Sequence, residues 1–426
     1  MATVELPQTE LAPRKKMFGL PFDGMLLVIV GGLVGVGLMM VYSTTFDWSY
    51  RAYGDPAYIF LRQVQWLLLG LLVLAITAWM PYRWWKRLAV LMMFVTLGLL
   101  VLVLLFGTTT FNAQRSFFNG SVQPSELAKF VTILYLAVWL DSKSDRLHQW
   151  SYGIVPFGLI VGVIAALILA QPDISAAGTI VLVAALMFFI GGADILQMAI
   201  VALIGSVTAM GILQFYSTGR QRLADYLAGV QDLTQASWHV QQAAIAFVNG
   251  GLFGRGLGES HQKFGFLPTP HTDSIFAILG EELGLVGCLL LISLFVFLAW
   301  RGFRIAAQAR DKLGAMLASG IVLWVILEAL INIAVMVGVL PFAGNALPFI
   351  SYGGSSLVIN LAAVGVLLSV SRRETADENV PRKTRNAGLL LKMLSQVANP
   401  DATLDLSRRD RRGRVSRVVR RADVDD

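Results

Sequence analysis

The sequence is poor in charged residues and in cysteine. Asp, Glu, Lys and Arg make up 14% of its 426 residues and 56% are hydrophobic, whereas soluble domains carry about 25% charged residues. The one cysteine, Cys288, lies inside an apolar run, which excludes an internal disulfide and a cysteine metal cluster. This composition predicts an all-α polytopic membrane protein.

Several catalytic patterns are absent as well. The sequence contains no P-loop, no HExxH pair and no EF-hand pattern. A cleavable signal is not expected either, since the basic cluster Arg14, Lys15 and Lys16 precedes an apolar run that is too long for one. The net charge of +7 is concentrated in segments predicted to be cytoplasmic, so it indicates membrane topology and attraction to the membrane surface rather than nucleic-acid binding.

Apolar runs long enough to cross a bilayer recur along the chain. They predict a membrane domain over residues 21–371, between a polar arm (1–20) and a basic tail (372–426), with one large loop at 216–272. About ten transmembrane helices are expected, at 21–43, 58–80, 88–106, 124–141, 151–170, 174–191, 195–215, 273–300, 313–338 and 353–371.

The distribution of Lys and Arg predicts the orientation. Most basic residues in the short connections share the side of the N-terminus, so the positive-inside rule makes both termini cytoplasmic. The large loop then faces outward. The basic tail is expected to be largely disordered, with attraction to anionic lipid or to a cytoplasmic partner as the functional alternative.

The stretch from Glu259 to Gly284 carries the main functional hypothesis. Pro268 and Pro270 keep the chain extended, so Thr272 is predicted to be a helix N-cap, with Asp273 in the first turn. The positive end of a helix favours an ionised carboxylate. Asp273 could therefore be a general base at the membrane surface, or it could only cap the helix.

Further charges lie within the predicted spans, where they are costly. Lys129 is expected to pair with Asp273 or to flank a bound anion with it. The structural alternative is a salt bridge, such as a local pair with Glu126 at i,i+3. Glu281 and Glu282 suggest a proton path or, as the favoured alternative, a buried hydrogen-bonded glutamate. Glu328 and Asn332 share one helix face, where they would join helices, and Asp173 is predicted to cap the sixth span.

The predicted outer face gathers one acid, Asp273, with many donors. Backbone N–H groups and the hydroxyls of Ser355 and Ser356 open the last span and form an anion site. The basic side chains on this face are Lys129, Arg115, Arg220, Arg222, Arg255, His271 and Lys263. This arrangement suits a substrate with a lipid tail and an anionic head, and a lone acid argues against the paired carboxylates of glycoside hydrolases.

Five segments resemble the SEDS family of bacterial membrane proteins, which includes FtsW and RodA. The segments are PSELAKF (124–130), QPD (171–173), WHVQQAAIAFVNGGLFGRGLG (238–258), SHQKFGFLPTPHTDSIFAILGEELG (260–284) and NALPFISYGGSSL (345–357). The resemblance implies a ten-helix peptidoglycan glycosyltransferase that polymerises lipid II at the outer face of the bacterial cytoplasmic membrane. It also implies a class B penicillin-binding protein as partner, and the long tail and GEELG favour an FtsW-type role.

The resemblance also carries individual residues. The family's essential acid corresponds to Asp273, its cationic span residue to Lys129, its loop arginine to Arg115 and its loop glutamine to Gln242. One departure is LPTPHTD, in which Thr269 replaces a frequent glutamate of the family. That glutamate therefore cannot contribute to this protein.

The residue pattern and the resemblance converge on inverting glycosyl transfer with Asp273 as base. Lys129 and Arg115, assisted by Mg²⁺ or Mn²⁺, would stabilise charge on the leaving pyrophosphate. The metal ligands are left open, and no organic cofactor is expected. Two alternatives remain: a flippase for a lipid-linked precursor, which should show an inverted repeat, and a noncatalytic scaffold for the penicillin-binding protein.

Overall fold

The computed structural model describes residues 22–110, 113–116 and 123–372. The predicted arm (1–20) and almost all of the predicted basic tail (372–426) lie outside these residues, so the predictions made for them stay predictions.

The described chain is almost entirely helical. Two short antiparallel strands, β1 (Thr108–Thr110) and β2 (Ala113–Ser116), pair between the third and fourth helices. The described helices are α1 (Gly24–Tyr53), α2 (Tyr58–Trp79), α3 (Trp85–Phe106), α4 (Pro124–Lys143), α5 (Ile154–Leu169), α6 (Ile174–Gly191), α7 (Ile195–Phe215), α8 (Ser217–Gln231), α9 (Trp238–Gly250), α10 (Ile275–Ala307), α11 (Lys312–Met336) and α12 (Gly354–Ser371). We call the end of the bundle at which α4, α6, α10 and α12 begin the Asp273 face.

The prediction of an all-α polytopic membrane protein is confirmed. Among the described helices, eight are long and apolar enough to cross a bilayer: α1, α2, α3, α6, α7, α10, α11 and α12. The other two predicted spans coincide with α4 and α5, of which α5 has 16 residues. The count of ten spans therefore stays a prediction. The predicted large loop contains helices α8 and α9, which its polar composition did not indicate.

Helix α4 lies at the centre of the bundle. Fourteen of its 20 residues are buried, and it packs against α3, α6 and α11. A helix surrounded by protein rather than lipid can carry polar side chains, provided that they find partners. This position explains why α4 is less apolar than its neighbours and still belongs to the membrane domain.

Helix α10 is broken at Gly284, where φ is 68° and ψ is −167°. The loop after α9 replaces the helical hydrogen bonds that the break removes. The carbonyls of Glu281 and Glu282 accept from the N–H groups of Arg255 and Gly256, each at 3.0 Å. The N–H groups of Leu285 and Val286 donate to the carbonyls of Gly251 (2.9 Å) and Leu252 (3.1 Å). These four groups of the broken helix are thereby satisfied within the protein.

Replacing Gly284 by alanine is expected to destabilise this junction. A Cβ atom there would lie 2.4 Å from the nitrogen of Gly254 and 2.5 Å from the carbonyl oxygen of Leu252, and the positive φ is unfavourable for alanine. We expect a loss of about 2 kcal/mol or more, measured as a lower melting temperature in detergent. Gly98→Ala in α3 is the control, because no atom lies within 4 Å of its Cβ position. Equal melting temperatures for the two variants would contradict the prediction.

Candidate active site

Asp273 lies just before α10 rather than in its first turn. The helix begins at Ile275, with Ser274 at the N-cap position and no side-chain cap bond. The prediction that Thr272 caps this helix is wrong, because the preceding residues form a turn of their own. In that turn the carbonyl of Thr269 accepts from the N–H of Thr272 at 3.1 Å, while the Ser274 hydroxyl donates to the carbonyl of Pro268 at 3.1 Å.

The HTD triplet is fixed by its backbone. Each of its three carbonyl oxygens accepts a hydrogen bond from elsewhere in the bundle: His271 from the Tyr352 N–H (2.8 Å), Thr272 from the Ser351 hydroxyl (2.7 Å) and Asp273 from the Asn332 amide (2.8 Å). Asn332 also donates to the carbonyl of Asn345 at 2.6 Å. The backbone that carries the Asp273 carboxylate is therefore held in a defined position, as positioned catalysis requires.

Lys129 is buried between two carboxylates on different helices. Its ammonium donates to Glu126 at 2.8 Å within α4 and forms an ion pair with Glu328 of α11. The ammonium also lies 5.8 Å from the ring centroid of Trp324. The predicted i,i+3 pair with Glu126 is confirmed, and so is the prediction that Glu328 joins helices. Contact of Lys129 with a substrate stays a prediction.

The Lys129 cluster and Asp273 are connected through α11. Glu328 and Asn332 are four residues apart, hence about 6 Å along the helix. Glu328 binds Lys129 and Asn332 binds the backbone of Asp273. The ion cluster therefore lies about one turn deeper than the candidate catalytic carboxylate. The sequence signal for Asn332 was its shared face with Glu328, but its attachment to Asp273 was not predicted.

Glu281 and Glu282 are both buried and hydrogen-bonded, as the favoured alternative expected. Glu281 accepts from the backbone N–H groups of His261 and Gln262 at 3.3 and 3.2 Å, and also from Ser260 and Asn249. Glu282 accepts from the Ser43 hydroxyl at 2.6 Å and from the Lys263 ammonium at 3.0 Å. These two acids anchor the loop that leads to Asp273.

The positive charge of Lys263 suggested contact with a substrate, but its ammonium pairs with Glu282 inside the protein. Besides Glu282, its ammonium donates to the Gly258 carbonyl at 2.7 Å and lies 5.1 Å from the ring centroid of Phe46. Its side chain is only 2% exposed. The described contacts of Lys263 are thus structural, and its predicted role in substrate binding is not supported by them.

His271 is enclosed by aromatic rings. It stacks on Trp48 with 4.8 Å between ring centroids and meets the ring of Tyr352 edge-on at 5.9 Å. Burial lowers the pKa of His271 to about 4, so the ring is neutral at neutral pH. The expectation that His271 adds positive charge to this face is therefore wrong, because the imidazolium would have to be desolvated among the rings.

This burial of His271 predicts a pH dependence of stability. The unfolded histidine binds a proton near pH 6.5, whereas the folded one binds it near about pH 4. The contribution of His271 to the free energy of unfolding is therefore fully present above about pH 6.5. It falls as the pH drops towards about 4, by at most about 3 kcal/mol. Melting temperatures across this range should fall more steeply for wild type than for His271→Phe, which keeps the stacking. Parallel curves for the two proteins would contradict the prediction.

A second polar cluster lies at the Asp273 face where α4, α6 and α12 begin. Asp173 caps α6 as predicted, since its carboxylate accepts from the Ala176 N–H at 3.1 Å. It also accepts from the Gln123 amide at 3.1 Å. The Ser355 hydroxyl accepts from the Gln123 N–H at 3.4 Å, and Ser356 accepts from Asn360 one turn below it. The predicted anion contacts of the two serines stay predictions.

Arg222 borders a cavity of about 330 Å³ between α8, α9 and the end of α11. Its guanidinium lies 5.3 Å from the ring centroid of Phe342, two residues before Gly344. A Cβ atom on Gly344 would lie 3.0 Å from a carboxylate oxygen of Asp273. Phe342, which contacts Arg222, and Gly344, which lies beside Asp273, therefore belong to one short segment.

The remaining predicted site residues are less defined. Gln242 is buried on the face of α9 that also carries Ala243 and Ala246. Arg115 lies in β2, and its side chain is outside the described part of the structure. Within the described ranges, no three His, Cys, Asp or Glu side chains gather in a way that could hold a metal ion.

The fold and this site define a polytopic membrane protein that holds the Asp273 carboxylate at one end of its helix bundle. Residues 24–376 match the FtsW/RodA/SpoVE family, described as "Cell cycle protein". The chain belongs to this family, and the resemblance noted in the sequence is confirmed.

Curated relatives match over nearly their whole length. The chain is 38% identical over 356 residues to the "Probable peptidoglycan glycosyltransferase FtsW" of Trichlorobacter lovleyi, covering 82% of this chain and 93% of that protein. It is also 38% identical over 354 residues to the "Stage V sporulation protein E" of Bacillus subtilis, covering 82% and 97%. These relatives support the FtsW-type assignment within the family.

Solved structures share the fold. A chain from a peptidoglycan synthase complex that coordinates polymerization and crosslinking superposes with a TM-score of 0.68 at 27% identity, covering 84% of this chain and 100% of that chain. The rod shape determining protein RodA of Thermus thermophilus gives 0.62 at 26% identity, covering 85% and 100%.

Proposed function

We infer that this protein is a peptidoglycan glycosyltransferase of the FtsW type, which polymerises lipid II during cell division. Family membership over residues 24–376 and relatives named peptidoglycan glycosyltransferases support this function. The structural observation that carries it is the fixed HTD triplet, whose carbonyls at residues 271–273 are each held from outside the loop. Such a scaffold suits a reaction in which one carboxylate must meet one hydroxyl in a defined geometry.

In the proposed mechanism Asp273 is the general base. Its carboxylate removes the proton from the acceptor sugar hydroxyl as that oxygen forms a bond to the anomeric carbon of the donor. The bond from this carbon to the pyrophosphate breaks on the opposite face, and the lipid pyrophosphate leaves with the electron pair. A single displacement of this kind inverts the anomeric configuration.

The leaving pyrophosphate requires positive charge or hydrogen-bond donors. Arg222 is the cation that we propose for this role, because its guanidinium contacts Phe342, in the segment that passes Asp273 at Gly344. Lys129 is occupied by Glu126 and Glu328, so its proposed contribution is to support the site from below. The described residues do not form a metal cluster that fits a resident Mg²⁺ or Mn²⁺, and we derive no step through a metal.

We further propose the partner and the orientation. The related synthase complex combines polymerization with crosslinking, which supports a class B penicillin-binding protein as the partner that crosslinks the new strands. The distribution of basic residues supports cytoplasmic termini and an Asp273 face on the outer side of the cytoplasmic membrane.

Purified protein given fluorescent lipid II and a divalent cation, with and without its cognate penicillin-binding protein, tests this function. The expected result is a ladder of glycan products resolved by gel electrophoresis. Translocation of lipid II in sealed vesicles without any ladder would support a flippase instead. Crosslinking by the partner that needs this chain but not Asp273 would support a scaffold.

A further inference from the structure

An apolar hairpin lies beside the break in α10. Among the described residues, none covers its exposed surface. Helix α9 carries exposed Ile245 and Val248, and the turn that follows carries exposed Leu252 and Phe253. Val248 and Phe253 are each 82% exposed. From Gly250 to Gly254 the sequence is GGLFG, so the tip bears no polar side chain at all.

The depth of this tip in the membrane follows from α1 and α10, which contact each other through polar side chains at two levels of the bundle. At one end the Arg301 guanidinium contacts both carboxylate oxygens of Asp23 at 2.9 Å. At the other end Ser43 of α1 donates to Glu282 of α10 at 2.6 Å. Asp23 and Ser43 are 20 residues apart, which is about 30 Å of helix. That length equals the thickness of the hydrocarbon core of a bilayer.

Boundaries of the hydrocarbon placed at Asp23 and Ser43 put the break in α10 inside it. Leu285 and Val286 are three and four residues beyond Glu282, hence about 5 to 6 Å below the boundary. The carbonyl of Leu252 accepts from the N–H of Val286 at 3.1 Å, so the tip is at the same depth. The lipid-exposed side chains of Leu285, Val286 and Leu289 continue the apolar surface of the tip along α10.

The polar groups of the hairpin are compatible with that position. Irregular backbone is tolerated in hydrocarbon only where its N–H and C=O groups are satisfied within the protein. Four backbone bonds join the turn to the broken helix, and the N–H groups of Gly251 and Gly254 donate back to α9 at 3.2 and 2.8 Å. The one cation of the turn, Arg255, lies 4.0 Å from Glu281 and so reaches back towards the polar loop. With 13 residues, α9 is too short to cross a bilayer and has the length of a re-entrant segment.

We propose that residues 238–256 form a re-entrant hairpin whose tip, Leu252 and Phe253, inserts among the phospholipid acyl chains of the leaflet at the Asp273 face. The partner of this surface is lipid rather than protein. Because Glu281 and Glu282 tie the same region to the loop that leads to Asp273, insertion of the hairpin fixes the depth of that loop relative to the membrane. This inference does not depend on which reaction the protein catalyses.

Fluorescence quenching by spin-labelled lipid tests the proposal on the full chain. Cys288→Ala supplies a background without cysteine, into which Phe253→Cys or Val248→Cys is introduced and labelled with an environment-sensitive dye. Leu289→Cys, on the lipid-exposed surface of α10, is the inserted reference, and Gln235→Cys, in the exposed turn before α9, is the aqueous reference. The proteins are reconstituted in phosphatidylcholine and phosphatidylglycerol vesicles that contain doxyl-labelled phosphatidylcholine. Size-exclusion profiles that match wild type establish that each protein is folded.

Quenching at positions 253 and 248 should be within about twofold of that at position 289 and at least about threefold above that at position 235. Doxyl groups placed near the headgroup should quench positions 253 and 248 more than groups near the chain end, because insertion is shallow. Quenching at both positions equal to that at position 235 would overturn the proposal. Since the four labelled positions carry exposed side chains, and two positions of the hairpin are compared, loss of one variant leaves the test intact.

Discussion

Replacing Asp273 by asparagine is expected to abolish glycan polymerisation without unfolding the protein. The amide keeps the shape of the side chain, and the three hydrogen bonds that fix the triplet use backbone carbonyls, which the substitution does not alter. Asparagine cannot accept the proton of the acceptor hydroxyl. Loss of a general base lowers rates by about a hundredfold to ten-thousandfold. The measurement is the gel assay with fluorescent lipid II, beside a melting temperature that should match wild type.

The control for this variant is Glu259→Gln in the same loop. Glu259 is an exposed carboxylate, and its replacement removes the same charge without touching the triplet, so it should retain activity. An Asp273→Asn protein that still makes ladders would exclude Asp273 as the base. Equal loss of activity in both variants would instead indicate that the net charge of the loop matters.

Replacing Lys129 by methionine should have the largest effect on stability. Methionine fills a similar volume but leaves Glu126 and Glu328 facing each other in the bundle core without their shared ammonium. Breaking a buried ion pair by removing one partner costs about 3 to 5 kcal/mol. We expect a lower melting temperature in detergent and a smaller folded fraction on size exclusion.

A double variant separates structure from catalysis at this position. Adding Glu328→Gln to Lys129→Met removes one of the two stranded carboxylates, so much of the lost stability should return. If Lys129 acted only on substrate, Lys129→Met alone would keep the wild-type melting temperature and lose activity. That outcome would contradict the structural role that its two ion pairs define.

Local patterns in the sequence predicted local structure well. The i,i+3 spacing of Glu126 and Lys129 predicted their pair, because the geometry of one helix fixes it. The position of Asp173 directly before an apolar run predicted the N-cap of α6, because the geometry of a helix start also fixes that contact. The family motifs indicated the class of protein, and each predicted span coincides with a helix.

What the sequence could not predict depends on contacts between distant segments. The break at Gly284 is possible because the carbonyls of Gly251 and Leu252 accept hydrogen bonds from the helix beyond it. The local sequence around GEELG does not indicate these acceptors. The surroundings of Lys263 and His271 could not be predicted for a similar reason. Lys263 pairs with Glu282 and His271 stacks on an aromatic ring, and only the assembled bundle creates these surroundings.

The ion cluster in the bundle core has a consequence for how this protein is made. Lys129 and Glu328 are separated by 199 residues, so a ribosome needs about 10 to 40 seconds to travel from one to the other. During that interval α4 resides in the membrane before its partner helix exists. Glu126, one turn away on the same helix, is then the carboxylate that can offset the lysine charge, because it is synthesised together with it. Glu126 therefore offsets the charge of Lys129 first during membrane insertion, and afterwards in the finished bundle together with Glu328.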